Sequence, residues 1–192
     1  MYEDLINQIL RKLKKRKGKI SYSREKLKEK IETLVKYIPI QEMSKLVKHP
    51  EIFTLDKNTL EHRIEYLIDN FGLTAVIEAP SLLTYEPSTI EDKIKKYKKI
   101  FNRSREEIKN LIKRFPNILT YNPETVKRKI EIIALELGIS YNIASKLVYE
   151  NPRILSRSEG IIRYVLEKCG KIVLEKPSLF YKSKEKIEEI CK

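Results

Sequence analysis

The chain has no tryptophan, two cysteines, two histidines and five glycines in its 192 residues. Scarce glycine with 41% hydrophobic residues favours helices over a β-sandwich or a disordered chain. The two cysteines, Cys169 and Cys191, do not make a disulfide framework or a zinc site, and we expect both to be small core residues. His49 and His62 are isolated, with no cysteine or carboxylate at metal-ligand spacing.

Sequence signals for membrane insertion, export and catalysis are also missing. No apolar run approaches the roughly 18 to 20 residues that span a bilayer. The first ten residues contain Glu3 and Asp4 and no apolar stretch, so we expect a cytoplasmic protein, or an organellar-matrix protein if this is a mature eukaryotic form. Nucleotide-binding glycine motifs and the nucleophile-elbow motif are absent, and we therefore expect no enzymatic activity, no cofactor and no metal.

Positive charge is in excess and unevenly distributed. The chain has 40 lysines and arginines against 27 acidic residues, a formal net charge of +13 at pH 7. Residues 11–30 and 93–114 hold eleven and ten basic side chains, each against two acidic ones, whereas residues 31–92 hold five against eleven. Such separation creates local fields that attract a polyanion. Nucleic acid is the favoured partner, and solvated lysine-rich helix faces are the alternative.

A repeated pattern follows five prolines, which are 30, 36, 36 and 25 residues apart. They are Pro50, Pro80, Pro116, Pro152 and Pro177. Two large apolar residues follow each proline at positions +2 and +3, and further apolar residues stand at +10, +14 and +17. Steps of four and three place the last three on one face of a helix. The pattern predicts a unit made of a Pro-initiated apolar turn, a long helix and a shorter second helix.

Signals for helix starts and ends agree with this unit. Four repeats have a side-chain acceptor at +6, where a helix N-cap needs one: Asp56, Asn122, Ser158 and Ser183. Four residues that tolerate a left-handed conformation are expected to end the long helices: Gly72, Asn102, Gly138 and Gly170. Ser104 and Glu107 have the spacing of a capping box at the start of a second helix.

One such unit cannot bury its own apolar stripe, whereas stacked units can, which predicts an α-solenoid rather than an ordinary helical bundle. We expect a single domain over residues 1–192, with a basic N-terminal capping helix and a C-terminal half repeat. The predicted segments are 1–16 for the capping helix, 17–49, 50–79, 80–115, 116–151 and 152–176 for the repeats, and 177–192 for the half repeat. In the first, degenerate repeat Lys17 replaces the proline, with Ile20 and Tyr22 at +3 and +5.

The best-preserved unit resembles the repeat of the mitochondrial transcription termination factor (mTERF) family. It begins with Phe115-Pro116-Asn117-Ile118-Leu119, continues through Val126 and Ile130 to Leu137-Gly138-Ile139-Ser140, and ends at Asn151-Pro152. The resemblance covers nearly the whole chain. It implies an all-α superhelical solenoid of five to six two-helix repeats, left-handed rather than right-handed, with a basic concave groove. Members of this family bind double-stranded DNA or structured RNA in transcription termination, gene regulation or ribosome assembly, some of them with a partner protein.

Ten cations are candidate phosphate contacts, because each such contact releases condensed counterions. Four stand at +13 and would form a row along successive long helices: Lys30, Arg63, Lys93 and Lys129. The other six are Arg114, Arg128, Lys146, Arg153, Arg157 and Arg163. Arginine is favoured for its bidentate phosphate contacts. Two alternatives are solvated lysines and salt bridges between units to the +15 carboxylates Glu65, Glu131 and Glu167. Changing Arg63, Lys93 and Lys129 to glutamate is predicted to weaken nucleic-acid binding while helicity is retained.

Other functions have weaker support. The tyrosines at +5, which are Tyr22, Tyr85 and Tyr121, either stack on bases or pack at the start of the long helix, and their recurrence favours packing. Tyr141 and Tyr149 are less tied to the repeat and are candidates for exposed positions. The second functional class is a protein-interaction scaffold without a nucleic-acid role, since solenoids commonly bind proteins. We expect a monomer that binds nucleic acid, with a protein partner as an open alternative and no membrane association.

Overall fold

The computed structural model describes residues 2–17 and 23–191, and all regular structure within these ranges is helical. This confirms the prediction of an all-α helical-repeat solenoid; its handedness stays a prediction. The α-helices are α1 (Glu3–Lys17), α2 (Arg24–Val35), α3 (Met43–Leu46), α4 (Lys57–Phe71), α5 (Leu73–Glu78), α6 (Pro87–Phe101), α7 (Arg105–Arg114), α8 (Pro123–Leu137), α9 (Tyr141–Glu150), α10 (Glu159–Cys169), α11 (Ile172–Glu175) and α12 (Lys184–Ile190). The side chain of Lys17 and the residues Ile20 and Tyr22, predicted to begin the first repeat, lie outside the described residues.

Each repeat proline begins a 3-10 turn, and a further one, Ile40–Glu42, precedes α3. The five Pro-initiated turns are Pro50–Thr54, Pro80–Thr84, Pro116–Thr120, Pro152–Ser156 and Pro177–Tyr181. The +2 and +3 residues of every turn are at most 2% exposed. In the first four turns a Thr or Ser hydroxyl at +4 donates to the +1 carbonyl at 2.7 Å, which closes the turn locally.

The predicted helix caps are confirmed. The side chain of Asp56 accepts from the Thr59 amide at 2.9 Å, and Asn122, Ser158 and Ser183 cap their helices in the same way. Asn102, Gly72, Gly138 and Gly170 have φ values of +49°, +85°, +59° and +51°, which lie in the region that glycine and asparagine tolerate. The amide of Ser104 donates to Glu107 at 2.8 Å and the amide of Glu107 donates to Ser104 Oγ at 3.2 Å, which completes the capping box.

Two compact units divide the chain, one formed by residues 1–92 and 112–120 and the other by residues 93–111 and 121–192. In the first unit α1 buries Ile6, Ile9 and Leu13, each at most 2% exposed, and contacts the Pro50–Thr54 turn. In the second unit α8 buries its +10, +14 and +17 residues completely or to within 1%. The corresponding residues of α4 in the first unit, Leu60, Ile64 and Leu67, are also fully buried, so the same register builds both cores. The single domain over 1–192 stays a prediction.

Cys169 and Cys191 are joined by a disulfide, with Cα atoms 5.0 Å apart. The prediction that they serve only as small core residues was wrong. Cys169 occupies +17 of one repeat and Cys191 occupies +14 of the next, and α10 packs against α12 so that these two inward columns meet. Adjacent inward positions on facing helices bring two cysteines within bonding distance.

The described residues contain neither a membrane-spanning helix nor a cluster of metal-ligating side chains. No single helix there is long and apolar enough to cross a membrane; α8 and α9 reach that length and hydropathy only when taken together across a 120° bend. The same residues contain no group of three or more His, Cys, Asp or Glu side chains that could hold a metal ion.

Candidate nucleic-acid interface

The cations at +13 point towards the turn of the following repeat. Lys30 Nζ donates to the Phe53 carbonyl at 2.8 Å. Lys129 Nζ donates to the carbonyls of Leu155 and Arg157, both at 2.6 Å. These acceptors are the +3 and +5 residues of the next unit, so the lysine side chain connects two neighbouring repeats. A charge-assisted bond to a buried carbonyl also satisfies an acceptor that the short 3-10 turn leaves open.

Arg63 and Lys93 make the same kind of connection. Arg63 Nη1 donates to the Leu83 carbonyl at 3.1 Å, and its Nη2 pairs with the carboxylate of Glu86. Lys93 Nζ donates to the carbonyl of Tyr121 at 2.8 Å. Each +13 cation thus donates to a backbone carbonyl of the following repeat. The +13 column therefore stabilises the packing between repeats.

Burial of the +13 column has electrostatic consequences. Arg63 and Lys129 are only 6% and 9% exposed. Desolvation lowers the pKa of Lys30, Lys93 and Lys129 below the ordinary lysine value, and the nearby charge of Lys96 lowers the pKa of Lys93 further. A glutamate at position 63 or 129 would face carbonyl oxygens without solvent. Contrary to the sequence-based expectation, we expect that charge reversal at these two positions would destabilise the fold.

The +15 carboxylates do not pair with this column. Glu65 accepts a 2.7 Å hydrogen bond from the hydroxyl of Tyr37, whose pKa it raises to about 12. Glu131 lies 3.6 Å from Lys127 on its own helix. The predicted +15 partners were therefore wrong. One +13 cation, Arg63, does form a salt bridge to the next repeat, but its partner is Glu86 at +6, and the +13 lysines bind backbone carbonyls instead.

Three other predicted contacts are exposed and accompanied by carboxylates: Arg128, Lys146 and Arg163. Arg128 Nη2 lies 2.5 Å from Glu159, and Arg163 pairs with Glu136. Lys146 lies 3.9 Å from a glutamate one turn along α9. Exposed ion pairs of this kind are weak, so these side chains are available to exchange a carboxylate for a phosphate.

The remaining three candidates differ from one another. Arg114 is exposed at the end of α7, in the first unit, and Arg153 is exposed in the Pro152–Ser156 turn. Arg157 is half-buried; its Nε donates to the Phe180 carbonyl at 2.9 Å and its guanidinium lies 5.9 Å from the ring centre of Tyr181. Phosphate contact by any of the ten candidates stays a prediction.

A second group of cations was not singled out from the sequence. Lys96 and Lys99 of α6 and Lys127 of α8 line one cleft of about 300 Å³, which we name the lysine cleft. Its other lining residues are Ile100, Glu124 and Tyr141. All three lysines are exposed. Neither Lys96 nor Lys99 has a carboxylate partner among the residues that the structure describes. The signal for this site was the ten basic residues within 93–114, and the offsets of these lysines hold a basic residue in only some of the repeats.

Hydrogen bonds to the end of α6 hold the wall of the lysine cleft. The hydroxyls of Tyr141 and Ser145, both on α9, donate to the Ile100 carbonyl at 3.1 and 3.3 Å. This carbonyl is one of those that a helix leaves without an internal partner at its C-terminus. Burial, followed by the charge of Glu131, raises the pKa of Tyr141 to about 12. α9 is thereby fixed against the helix that carries Lys96 and Lys99.

Neither tyrosine considered for an exposed position is exposed. Tyr141 is half-buried as described, and Tyr149 is half-buried with its hydroxyl donating to the Glu107 carbonyl at 3.0 Å. Arg103 lies 4.9 Å from the ring centre of Tyr149. Both rings pack between helices of the second unit, since each hydroxyl satisfies a backbone acceptor there.

The two compact units of the chain differ in net charge. Residues 93–111 and 121–192 contain 22 basic and 12 acidic side chains, whereas residues 1–92 and 112–120 contain 18 and 15. Most of the net positive charge therefore belongs to the unit that carries the lysine cleft. A field of this sign increases the local concentration of a polyanion.

Comparison with known proteins agrees with this arrangement of turns and helices. The family model for mTERF matches two overlapping ranges, residues 6–100 and 43–158, which cover more than half of the chain. The chain belongs to the mTERF family. A search of curated proteins found no match. All three lysines of the lysine cleft lie within the ranges that match the mTERF model, and the mTERF family is one of nucleic-acid-binding helical-repeat proteins.

Proposed function

We propose that this mTERF protein binds double-stranded DNA or structured RNA through the lysine cleft and has no enzymatic activity. The observation that carries the proposal is the convergence of Lys96, Lys99 and Lys127, from two helices, on one open cleft. The +13 column is a weaker candidate because its charged groups already bind carbonyl oxygens. Such binding would act in the regulation of transcription, including its termination, or in ribosome assembly, in the compartment where the protein resides.

The chemistry of the lysine cleft suits a phosphate backbone. Three exposed ammonium groups have mobile charged ends, so they can follow phosphate groups without a fixed bidentate geometry. Each phosphate that they neutralise releases counterions, and this entropy gain makes the binding sensitive to salt. Lys99 lies in the last turn of α6, where the helix dipole favours a positive charge and offsets part of the repulsion between the lysines.

Sequence preference is expected to be small at this site. Lysine contacts to phosphate position a nucleic acid but carry no direct information about its bases. The cleft contains a single aromatic residue, Tyr141, and its hydroxyl already donates to the Ile100 carbonyl. Discrimination between sequences would therefore come from nucleic-acid shape or from exposed arginines such as Arg153.

The test is a triple charge reversal, Lys96→Glu, Lys99→Glu and Lys127→Glu. We expect the affinity for a duplex DNA or a stem-loop RNA, measured by fluorescence anisotropy at low salt, to fall at least about 100-fold. The matched control reverses three exposed lysines of the first unit, Lys26, Lys48 and Lys57, and changes the net charge equally.

The two variants separate a local site from a general charge effect. Equal loss of affinity in both would contradict the lysine cleft as the binding site, because only total charge would matter. Binding by the wild type that is weak and insensitive to salt would contradict nucleic-acid recognition and favour a protein-interaction scaffold. Circular dichroism of each variant confirms that the helices are retained.

A further inference from the structure

The last junction between repeats differs from those before it. Position +13 of the unit that begins at Pro152 is Val165, whereas the preceding units have a cation there. In its place the Nε of Arg157, from +5 of the same unit, donates to the carbonyl of Phe180 at 2.9 Å. Arg157 therefore supplies the donor to Phe180 that a +13 cation supplies at the earlier junctions.

Val165 lines a cleft of about 200 Å³ between α10 and α12, which we name the terminal cleft. Its lining includes Arg157, Lys182 and Lys184, together with the hydroxyl-bearing Ser183. The rest of the lining is aromatic or aliphatic: Ile161, Tyr164, Val165 and Ile187. Three cations therefore surround a small volume whose described lining contains no carboxylate, which favours an anion over a cation or a neutral ligand.

Three carboxylates act on Tyr164 in the wall of the terminal cleft, but none of them lines it. Glu188 accepts a 2.9 Å hydrogen bond from the hydroxyl of Tyr164, and Lys184 Nζ lies 5.0 Å from the centre of that tyrosine ring. The charges of Glu188, Glu185 and Glu167 act on the Tyr164 hydroxyl. Tyr164 therefore contacts Glu188 through its hydroxyl and Lys184 through its ring.

The wall formed by α12 is held in place at both of its ends. Ser183 caps its first turn, and the disulfide from Cys169 to Cys191, which directly follows α12, ties the C-terminal end of α12 to the end of α10. Ile187 in the middle is 1% exposed. A seven-residue helix is unstable alone, so these contacts hold Lys182 and Lys184 ready for a ligand at little further entropic cost.

We propose that the terminal cleft binds a phosphate group, held by Arg157, Lys182 and Lys184. The phosphate is either free inorganic phosphate or a phosphate of a nucleic acid, and the second source rests on the proposed function. The site is separate from the lysine cleft, since the two share no lining residue.

The decisive variant is Val165→Lys. A lysine at this position is expected to reach the carbonyls of Phe180 and Lys182, as Lys129 reaches those of Leu155 and Arg157. It would fill the terminal cleft while adding one positive charge to the protein. Because the new side chain would occupy the volume that the phosphate needs, we expect the affinity for inorganic phosphate, measured by isothermal titration calorimetry, to fall about tenfold despite the added charge.

A second variant does not depend on the folding of the first. Lys184→Gln removes a cation of the terminal cleft, and Lys171→Gln removes an exposed cation of the same unit that does not line it. We expect about tenfold weaker phosphate binding for the first and unchanged binding for the control. Absence of phosphate binding by the wild-type chain, equal weakening in the two lysine variants, or binding by Val165→Lys as tight as that of wild type would overturn the proposal.

Oligonucleotides identify the source of the phosphate. Tighter binding of a 5′-phosphorylated strand than of its 5′-hydroxyl form, lost in Lys184→Gln, would identify a terminal phosphate. Equal binding of both strands with competition by inorganic phosphate would identify the backbone. Binding of inorganic phosphate alone would support the site with a free ligand, and the nucleic-acid function would then be judged by the lysine-cleft variants.

Discussion

Lys129 and Lys96 are lysines on neighbouring long helices of the second unit, yet they have opposite surroundings. Lys129 is 9% exposed and its Nζ donates two 2.6 Å bonds to carbonyls of the following repeat. Lys96 is exposed, lines an open cleft and has no carboxylate partner among the described residues. Both contribute equally to net charge, and only one is available to a polyanion. Position in the repeat therefore decides what a cation does.

The register of the repeat explains this difference. Position +13 directly precedes the inward +14 residue, so its side chain emerges beside the core and meets the next turn. Lys96 and Lys99 stand at +16 and +19 of their unit and Lys127 at +11 of the following one, on either side of the inward stripe. Long lysine stems allow a nitrogen near the core to reach a carbonyl, whereas nitrogens farther around the helix stay in solvent.

The largest contrast is expected from charge reversal at these two lysines. Lys129→Glu places a carboxylate against two carbonyl oxygens and should lower the free energy of unfolding by about 3–5 kcal/mol. Lys96→Glu should change it by no more than about 0.5 kcal/mol. Urea denaturation followed by circular dichroism measures both. Similar losses in the two variants would remove the distinction between a buried and an exposed lysine.

The junction without a +13 cation offers a second contrast, because a disulfide is present there. Cys169→Ser opens a loop of 22 residues and is expected to lower the free energy of unfolding by about 3 kcal/mol. Reduction of the wild-type chain with a dithiol should produce the same loss, since each removes the same crosslink. If neither treatment lowers the stability, Arg157 and the apolar contacts are sufficient to hold α12.

The smallest expected effect concerns the wall of the lysine cleft and depends on pH. The pKa of Tyr141 is raised to about 12 in the folded chain, so its contribution to stability is complete below the ordinary tyrosine value of about 10 and is lost as pH rises towards 12. Tyr141→Phe should therefore make the fall in stability over this interval shallower. Unfolding at a series of pH values measures the slope of stability against pH. A slope unchanged by Tyr141→Phe would contradict a raised pKa of Tyr141 in the folded chain. Lys129, whose pKa is lowered, contributes equally in both proteins and cancels in the comparison.

Most of the fold could be predicted from the sequence because its signals are local. A proline before two apolar residues, an N-cap acceptor at +6 and a glycine at the helix end each act within one turn of chain, and the structure confirms the caps at Asp56 and Gly138. The acceptors of the +13 cations could not be predicted in this way, because the carbonyl of Phe53 or Leu155 becomes a partner only when two repeats pack.

The disulfide and the lysine cleft could not be predicted for the same reason, because both depend on how the helices pack. Cys169 and Cys191 stand at different offsets of different units, so their adjacency follows from the packing of α10 on α12 rather than from spacing. Likewise, the charge block of residues 93–114 indicated a basic surface, but it did not show that Lys127 lies beside Lys96 and Lys99. Composition identified the charged region, and only packing identified the cleft.

Binding through the lysine cleft, and not through the +13 column, is tested by the salt dependence of nucleic-acid binding in two variants that replace lysine with glutamine. One carries Lys96→Gln, Lys99→Gln and Lys127→Gln. The other carries Lys30→Gln and Lys93→Gln, at the two half-buried positions of the +13 column. The slope of log affinity against log salt should become shallower by about 2 to 3 in the first, close to 0.9 for each lost phosphate contact. It should remain at the wild-type value in the second. A shallower slope in the second variant with an unchanged slope in the first would contradict the account.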